Sequence, residues 1–285
     1  MSSFLDRMAS ASRARAAAAR ARESESALLA RAKAAAAPLP LTLAGFDLIA
    51  ELKLRSPAAG GLAAAGFDTE VQLAAYAAGG AAAVSVLTEP DEFKGSLEHL
   101  ESAAAQLQAS AVPVMRKDFL VDIYQILEAR AAGASGILLI AAMLDDTELD
   151  ELIAAATELG LFVLLEAFGT DDLERIARLT LPAGPPATLV GVNSRDLRTL
   201  AVDFERFARL AGQIRPDVPA VAESGIVDAR AIEAVAAKGY RLALVGSALM
   251  RDGNPEQAVA GLIAAGRKTA GASRGKDVGR GGRCS

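Results

Sequence analysis

The sequence predicts an α/β fold: a closed (β/α)8 TIM barrel preceded by an N-terminal helical extension. Three observations predict it. Eight short runs rich in Val, Ile and Leu recur after Gly45. Longer stretches with helical periodicity and a polar face lie between them, as at residues 122–134 and 145–160. The chain has 285 residues, 52% of them hydrophobic. That is enough for one large core, and a barrel of this kind takes ~250 residues.

In order, the runs are "FDLIAELK", "AAVSVLT", "AVPVMRK", "SGILLIA", "LFVLLEA", "ATLVGVN", "VPAVAES" and "RLALVGS". They are continuously apolar rather than alternating. Parallel strands covered by helices on one side and packed on the other read this way. A doubly wound open sheet is the structural competitor, but eight nearly even units with no switch in pattern favour closure. The barrel domain is placed at residues 46–267, with its last helix at residues 255–267. Residues 1–45 form an extension with helices at residues 4–22 and 26–35 that cover an end of the barrel. Residues 268–285 lose apolar periodicity to Gly, Ser and Arg and read as a disordered, solvated tail.

Net charge is −5, and no basic block occurs inside the patterned region, which argues against a nucleic-acid partner. The single cysteine, Cys284, allows no internal disulfide and fits a reducing, cytoplasmic setting. No apolar run approaches the ~20 residues that span a bilayer. The Ala- and Arg-rich start lacks an apolar signal core; a polar helix ahead of the domain is a plainer reading than an organelle transit peptide.

Active sites of such barrels lie at the carboxyl ends of the strands. Nearly every run here ends in polar residues: Glu51 and Lys53, "RKDF" at residues 116–119, Glu166, "NSR" at residues 193–195, "ESG" at residues 223–225, and Gly246 with Ser247. One such residue alone is a solvated strand end or a salt bridge at the barrel mouth. Recurrence at strand after strand is not explained that way. Residues i and i+2 of a strand share a face, so Glu51 and Lys53 both point inward while Leu52 meets the helices. Converging lysines and glutamates suit proton transfer, because burial and neighbours tune their pKa values. The small residues after the seventh and eighth runs fit a phosphate cradle, to which Ser56 adds a hydroxyl donor.

The chain resembles the indole-3-glycerol phosphate synthase family. The resemblance spans nearly everything from residue 4 to residue 267. It is carried by "IAELKLRSP", "SVLTEPDEFKGSLEHL", "PVMRKDFLVDIYQILEARAAGASGILLI", "LLEAF", "VGVNSRDL", "AESGI" and "LVGSALMR", in that order. It implies ring closure of 1-(2-carboxyphenylamino)-1-deoxyribulose 5-phosphate, with loss of carbon dioxide and water, in tryptophan biosynthesis. It implies no metal and no organic cofactor. The expected partner is that phosphorylated small molecule, with no membrane and no nucleic acid, and the expected state is a monomer or weak homo-oligomer.

By the same resemblance Lys117 is the principal general acid and Glu166 the base of the dehydration. Lys53 meets the substrate carboxylate, pairs with Glu51, and shares acid duty with Lys117. Asn193 positions substrate with Arg195 beside it, and Glu223 and Ser224 are further substrate contacts. Ser56, Gly225, Gly246 and Ser247 hold phosphate, and Phe93, Phe119 and Leu138 surround the aromatic ring. Two departures stand out. Ser56-Pro57-Ala58 replaces a common Ser-Pro-Ser, and Ala167-Phe168 replaces a common Val-His pair. His99 matches no catalytic role and reads as a surface or packing residue. Other phosphate-binding barrels, such as phosphoribosylanthranilate isomerases or sugar-phosphate epimerases, could share "SGI" and "VGS" but not the Glu-x-Lys, "RKDF" and "NSR" set. A barrel retained only for binding is disfavoured by intact acids and bases at every matching position.

Overall fold

A computed structural model describes residues 3–56, 60–61, 67–182, 184–185, 187–197 and 199–278, with backbone alone at Ser56 and residues 273–278. Eight strands close into a barrel: β1 (Asp47–Leu52), β2 (Ala83–Leu87), β3 (Val114–Lys117), β4 (Gly136–Ile140), β5 (Phe162–Ala167), β6 (Thr188–Asn193), β7 (Ala220–Glu223) and β8 (Leu242–Val245). Every pairing is parallel, and β8 returns to β1 through pairs such as Leu48 with Ala243. Each strand lies inside one of the apolar runs. A short antiparallel pair, Arg55–Ser56 with Gly60–Gly61, is added in the loop after β1.

The helices are α1 (Phe4–Arg22), α2 (Glu25–Ala34), α3 (Thr69–Ala78), α4 (Leu97–Leu107), α5 (Ile123–Ala131), α6 (Asp146–Glu158), α7 (Thr170–Arg178), α8 (Arg206–Leu210), α9 (Ala229–Ala236) and α10 (Pro255–Val278). Local sequence starts many of them. Ser3 with Asp6, and Asp145 with Glu148, form reciprocal capping boxes on α1 and α6. Asp68, Ser96, Asp122 and Asp228 cap α3, α4, α5 and α9. Among the described residues no helix is long and apolar enough to cross a membrane.

Alternation along the strands sorts the core into two shells. Leu48, Ala50 and Leu52 of β1 face the helices with Val84, Ile137, Leu139, Val163 and Val192. Ile49 faces the barrel interior with Met115, Leu138, Phe162, Leu164, Leu189 and Leu242. The extension serves both ends. Phe4 and Met8 of α1 pack on the interior cluster, as do Leu41 and Leu43 just before β1. Helix α2 instead docks outside the barrel on α5, through Leu28, Ala32, Tyr124 and Leu127.

One expectation is corrected. Helix α10 does not stop at Arg267, and residues 268–278 are not a disordered tail: the helix runs to Val278. Extending an anchored helix costs far less than nucleating one, so a stretch containing two glycines but no proline can continue it. The remainder of that segment, with Cys284, lies outside the described residues, as do Pro57 and Ala58.

Candidate active site

The last inward-facing positions of the strands carry acids, an amide and a lysine. Glu51, Glu166, Asn193 and Glu223 close β1, β5, β6 and β7, and all four are buried. Lys117 ends β3, and Lys53 follows β1. Because β-strand side chains alternate, these groups share the face that lower in the barrel is Ile49, Met115, Leu164, Leu189 and Val221. An apolar plug therefore floors a polar cup.

Two ion-pair groups meet in the cup. Lys53 Nζ lies 2.5 Å from Glu51 Oε1. Lys117 Nζ lies 3.5 Å from Glu166 Oε2 and 3.8 Å from Glu223 Oε2. Asn193 Nδ2 donates to Glu166 Oε2 at 3.1 Å, the same oxygen that Lys117 faces, and so helps to fix that carboxylate. Asn193 Oδ1 accepts from the Arg195 backbone N–H at 2.9 Å, which sets the amide's orientation. Neither oxygen of Glu223 has a hydrogen-bond partner among the described residues.

Burial and charge act on these groups in opposite senses. Burial alone would raise the Glu51 carboxyl, but Lys53, Lys117 and Arg195 outweigh it and hold the group below its ordinary value. Burial would lower Lys117, but Glu166, Glu223 and Glu51 outweigh it and hold its ammonium well above the usual range. Glu223 is pushed well above the carboxylate range by burial and by Glu166, with Lys117 only partly compensating. The cup thus sets an ammonium stabilised by three acids beside one acid, Glu223, whose burial favours its protonated form.

Glycines make room for these acids. A Cβ at Gly191 would overlap the Glu223 carboxylate, and one at Gly246 would overlap Glu51. Gly246, expected in a phosphate cradle, does line the cup, yet its Cβ position is taken up by Glu51. At the end of β7, Ser224 and Gly225 both have positive φ, 66° and 75°. For serine that conformation costs about 1–3 kcal/mol and is typical of a functional turn. The Ser194 hydroxyl donates to the Ser224 carbonyl at 3.1 Å and steadies it.

The cup has a volume of about 430 Å³. Its lining brings together Glu51, Lys53, Phe93, Lys117, Phe119, Leu138, Glu166, Asn193, Arg195, Glu223, Ser224, Gly225, Gly246 and Ser247. Ser56 sits at the short antiparallel pair, and its side chain lies outside the described atoms. The Phe93 and Phe119 rings lie 6.2 Å apart, and Phe4 meets Phe119 edge-on at 5.9 Å. Phe4, Leu197, Leu200, Val202 and Arg251 also line the cup and were not singled out from sequence. The one signal for Phe4 is an aromatic residue heading an otherwise Ala- and Arg-rich helix. His99, half-buried on α4, is not in the lining.

Fold and cup define a (β/α)8-barrel enzyme with an acid–base site at the carboxyl ends of its strands. Solved structures agree on the fold. Thiamine phosphate pyrophosphorylase from Pyrococcus furiosus aligns with TM-score 0.58 at 14% identity, covering 79% of this chain and 96% of that one. 3-Hexulose-6-phosphate synthase from Salmonella typhimurium aligns with TM-score 0.60 at 12% identity, covering 78% and 99%. A family model, indole-3-glycerol phosphate synthase, matches residues 5–262. Curated proteins of that name are similar too. The Nocardioides sp. protein is 43% identical over 216 residues, 76% of this chain and 79% of its own. The Salinibacter ruber protein is 41% identical over 226 residues, 79% and 80% respectively. The chain belongs to the indole-3-glycerol phosphate synthase family.

Proposed function

We propose that the chain closes the ring of 1-(2-carboxyphenylamino)-1-deoxyribulose 5-phosphate, releasing carbon dioxide, water and indole-3-glycerol phosphate in tryptophan biosynthesis. The observation that carries this reading is the position of Lys117. Its ammonium stands between the carboxylates of Glu166 and Glu223, inside the cup that also holds Glu51 and Lys53.

The reaction needs such groups. The aromatic carbon that bears the carboxylate attacks the ketone carbon, and the ketone oxygen gathers negative charge. Lys117 stabilises and protonates that oxygen. Its high pKa is no obstacle, since a developing alkoxide is a stronger base than an amine. Loss of carbon dioxide restores the aromatic ring. The new hydroxyl then leaves as water with a proton from Lys53 or Lys117, and Glu166 accepts the proton released in forming the indole double bond. Asn193 holds Glu166 in line for this step. Glu51 holds the Lys53 side chain in place. Glu223 and Ser224 contact substrate with Arg195.

At the apolar end Phe93, Phe119 and Leu138 pack on the substrate's ring. At the other end Ser56, Gly225, Gly246 and Ser247 receive its phosphate. The reading takes the enzyme as cytoplasmic, a monomer or weak homo-oligomer, without nucleic-acid or membrane partners, in keeping with its net charge of −5.

The test is to mix the purified protein with the carboxyphenylamino-deoxyribulose phosphate and follow indole absorbance and fluorescence. The chain has no Trp, so its own emission interferes little. Steady production of indole-3-glycerol phosphate with matching carbon dioxide is the expected result. Absence of both from folded protein would overturn the reading.

A further inference from the structure

Arg15 of α1 reaches two buried carboxylates on two separate loops. Its Nη2 donates to Asp118 Oδ1 at 3.1 Å, and its Nη1 lies 3.7 Å from Glu89 Oε1. That Nη1 is fully buried and has no hydrogen-bond partner among the described residues, so Glu89 is the charge it faces.

Each carboxylate is the clasp of its own loop. Glu89 accepts from the backbone N–H groups of Asp91, Glu92 and Phe93 at 3.0, 2.7 and 3.1 Å. The Gly95 N–H donates to the Glu89 carbonyl at 2.8 Å and closes the loop that turns Phe93 into the cup. Asp118 accepts from the Phe119 N–H and the Thr88 hydroxyl at 2.8 Å each, and from Arg116 at 3.2 Å. It stands in sequence between Lys117 and Phe119.

We propose that Arg15 is a positioning residue for the apolar end of the cup: its single guanidinium sets the spacing between the loop bearing Phe93 and the loop bearing Lys117 and Phe119. This rests on the function proposed above. A planar, permanently charged fork suits the task, since one group can satisfy two acids at fixed separation. Without it the two buried carboxylates lose the cation they share. Glu89 keeps only its backbone N–H donors and Asp118 keeps Arg116, Thr88 and the Phe119 N–H, so each loop stays clasped but the tie between them loosens. Misplacing reacting groups by about 1 Å can cost on the order of 100-fold in rate.

A plain structural role, stitching α1 to the barrel, is the competing account, and the same helix supplies its control. Arg20 binds Asp122 at 2.6 and 3.2 Å and lies over the Tyr124 ring at 5.0 Å. It makes no bond to Glu89 or Asp118 among the described residues.

The experiment compares Arg15→Gln, Arg15→Lys and Arg20→Gln by thermal melting, steady-state kinetics with inorganic phosphate as inhibitor, and crystal structures. Arg15→Gln should lose about tenfold or more in kcat/KM, with the Phe93 and Phe119 rings moved off their 6.2 Å spacing. Phosphate inhibition, which reports the opposite end of the cup, should stay within about twofold. Arg15→Lys should fall between, since an ammonium holds one acid rather than two, and it carries the test if the glutamine variant does not fold. Arg20→Gln should lower the melting temperature and leave kcat/KM near that of the unaltered protein. Unmoved rings in the Arg15 variants, or equal kinetic losses in Arg15→Gln and Arg20→Gln, would overturn the proposal. Ring spacing needs no substrate, and turnover by the unaltered protein tests the function separately, so the two failures are distinguishable.

Discussion

Gly191 of β6 lies directly against the carboxylate of Glu223 on β7: a Cβ at position 191 would overlap Oε1 and press on Leu164. A glycine inside a strand gives up packing and ordering entropy, so its place needs a reason. Here the reason is an acid that could not otherwise lie 3.8 Å from Lys117. Gly191→Ala should therefore displace Glu223 rather than unfold the barrel. Overpacking of this kind costs about 1–3 kcal/mol. A lower melting temperature with turnover reduced more than in proportion is the expected result. Full turnover with unaltered stability would mean that Glu223 has another position open to it.

The buried state of Glu223 also predicts a pH effect on stability. Its pKa is raised by folding, so the native state holds a proton that the unfolded chain releases above about pH 4.3. Stability from this group is complete below that value and falls as pH rises toward the folded pKa. Glu51 and Lys117 act differently. Glu51, lowered on folding, contributes stability above the unfolded carboxylate pKa that is lost as pH falls through its folded value; Lys117, raised, contributes until pH climbs through its own. Glu223→Gln should then melt close to the unaltered protein near pH 4 and above it near pH 8, while losing activity. Melting curves across that range test this, and a constant difference at all pH values would show that Glu223 ionises normally.

Much of this site was legible in the sequence because each polar group follows an unbroken apolar run. Glu166 after "LFVLL" and Asn193 after "TLVGV" are unusual enough to be noticed, and alternation places them inward. What remained hidden depends on contacts between distant segments. Ser12 donates to the Phe119 carbonyl across 107 residues, and Arg15 to Asp118 across 103. In sequence both sit in a helix of alanines and arginines whose buried face is made of small residues such as Ala9 and Ala16, so periodicity gives little sign of which side docks. Gly191 reads as an ordinary strand residue until Glu223 is seen against it. The positive φ of Ser224 has no sequence mark at all, since serine is not a residue that announces it.

Lys117→Met tests the acid role. Methionine keeps much of the stem's volume and removes the charged head that faces Glu166 and Glu223. Loss of a positioned acid should lower kcat by roughly 10²–10⁴-fold. KM should change less, because the interaction is gained mainly in the transition state. Near-normal turnover in a folded variant would assign the principal proton donation to Lys53.

Glu166→Gln separates the stages of the reaction. Glutamine keeps the shape, and its carbonyl can still accept from Asn193, whose amide donates to Glu166 at 3.1 Å. It cannot take a proton. Ring closure and decarboxylation, the stages proposed for Lys117, should continue while dehydration stalls. In a single turnover, carbon dioxide should then appear before the indole signal with a measurable lag. Lys117→Met should delay both signals together, since it slows the step that precedes them. Lys53→Met is the needed companion, because Lys53 stands 2.5 Å from Glu51 in the same cup and is the second proton donor proposed for the departing hydroxyl. If Glu166 is the base, Lys53→Met should produce a similar lag by failing to protonate the leaving group, and the double variant should add little to either single one. Simultaneous carbon dioxide and indole in Glu166→Gln, with total turnover reduced, would place Glu166 before or at decarboxylation and overturn its assignment to dehydration.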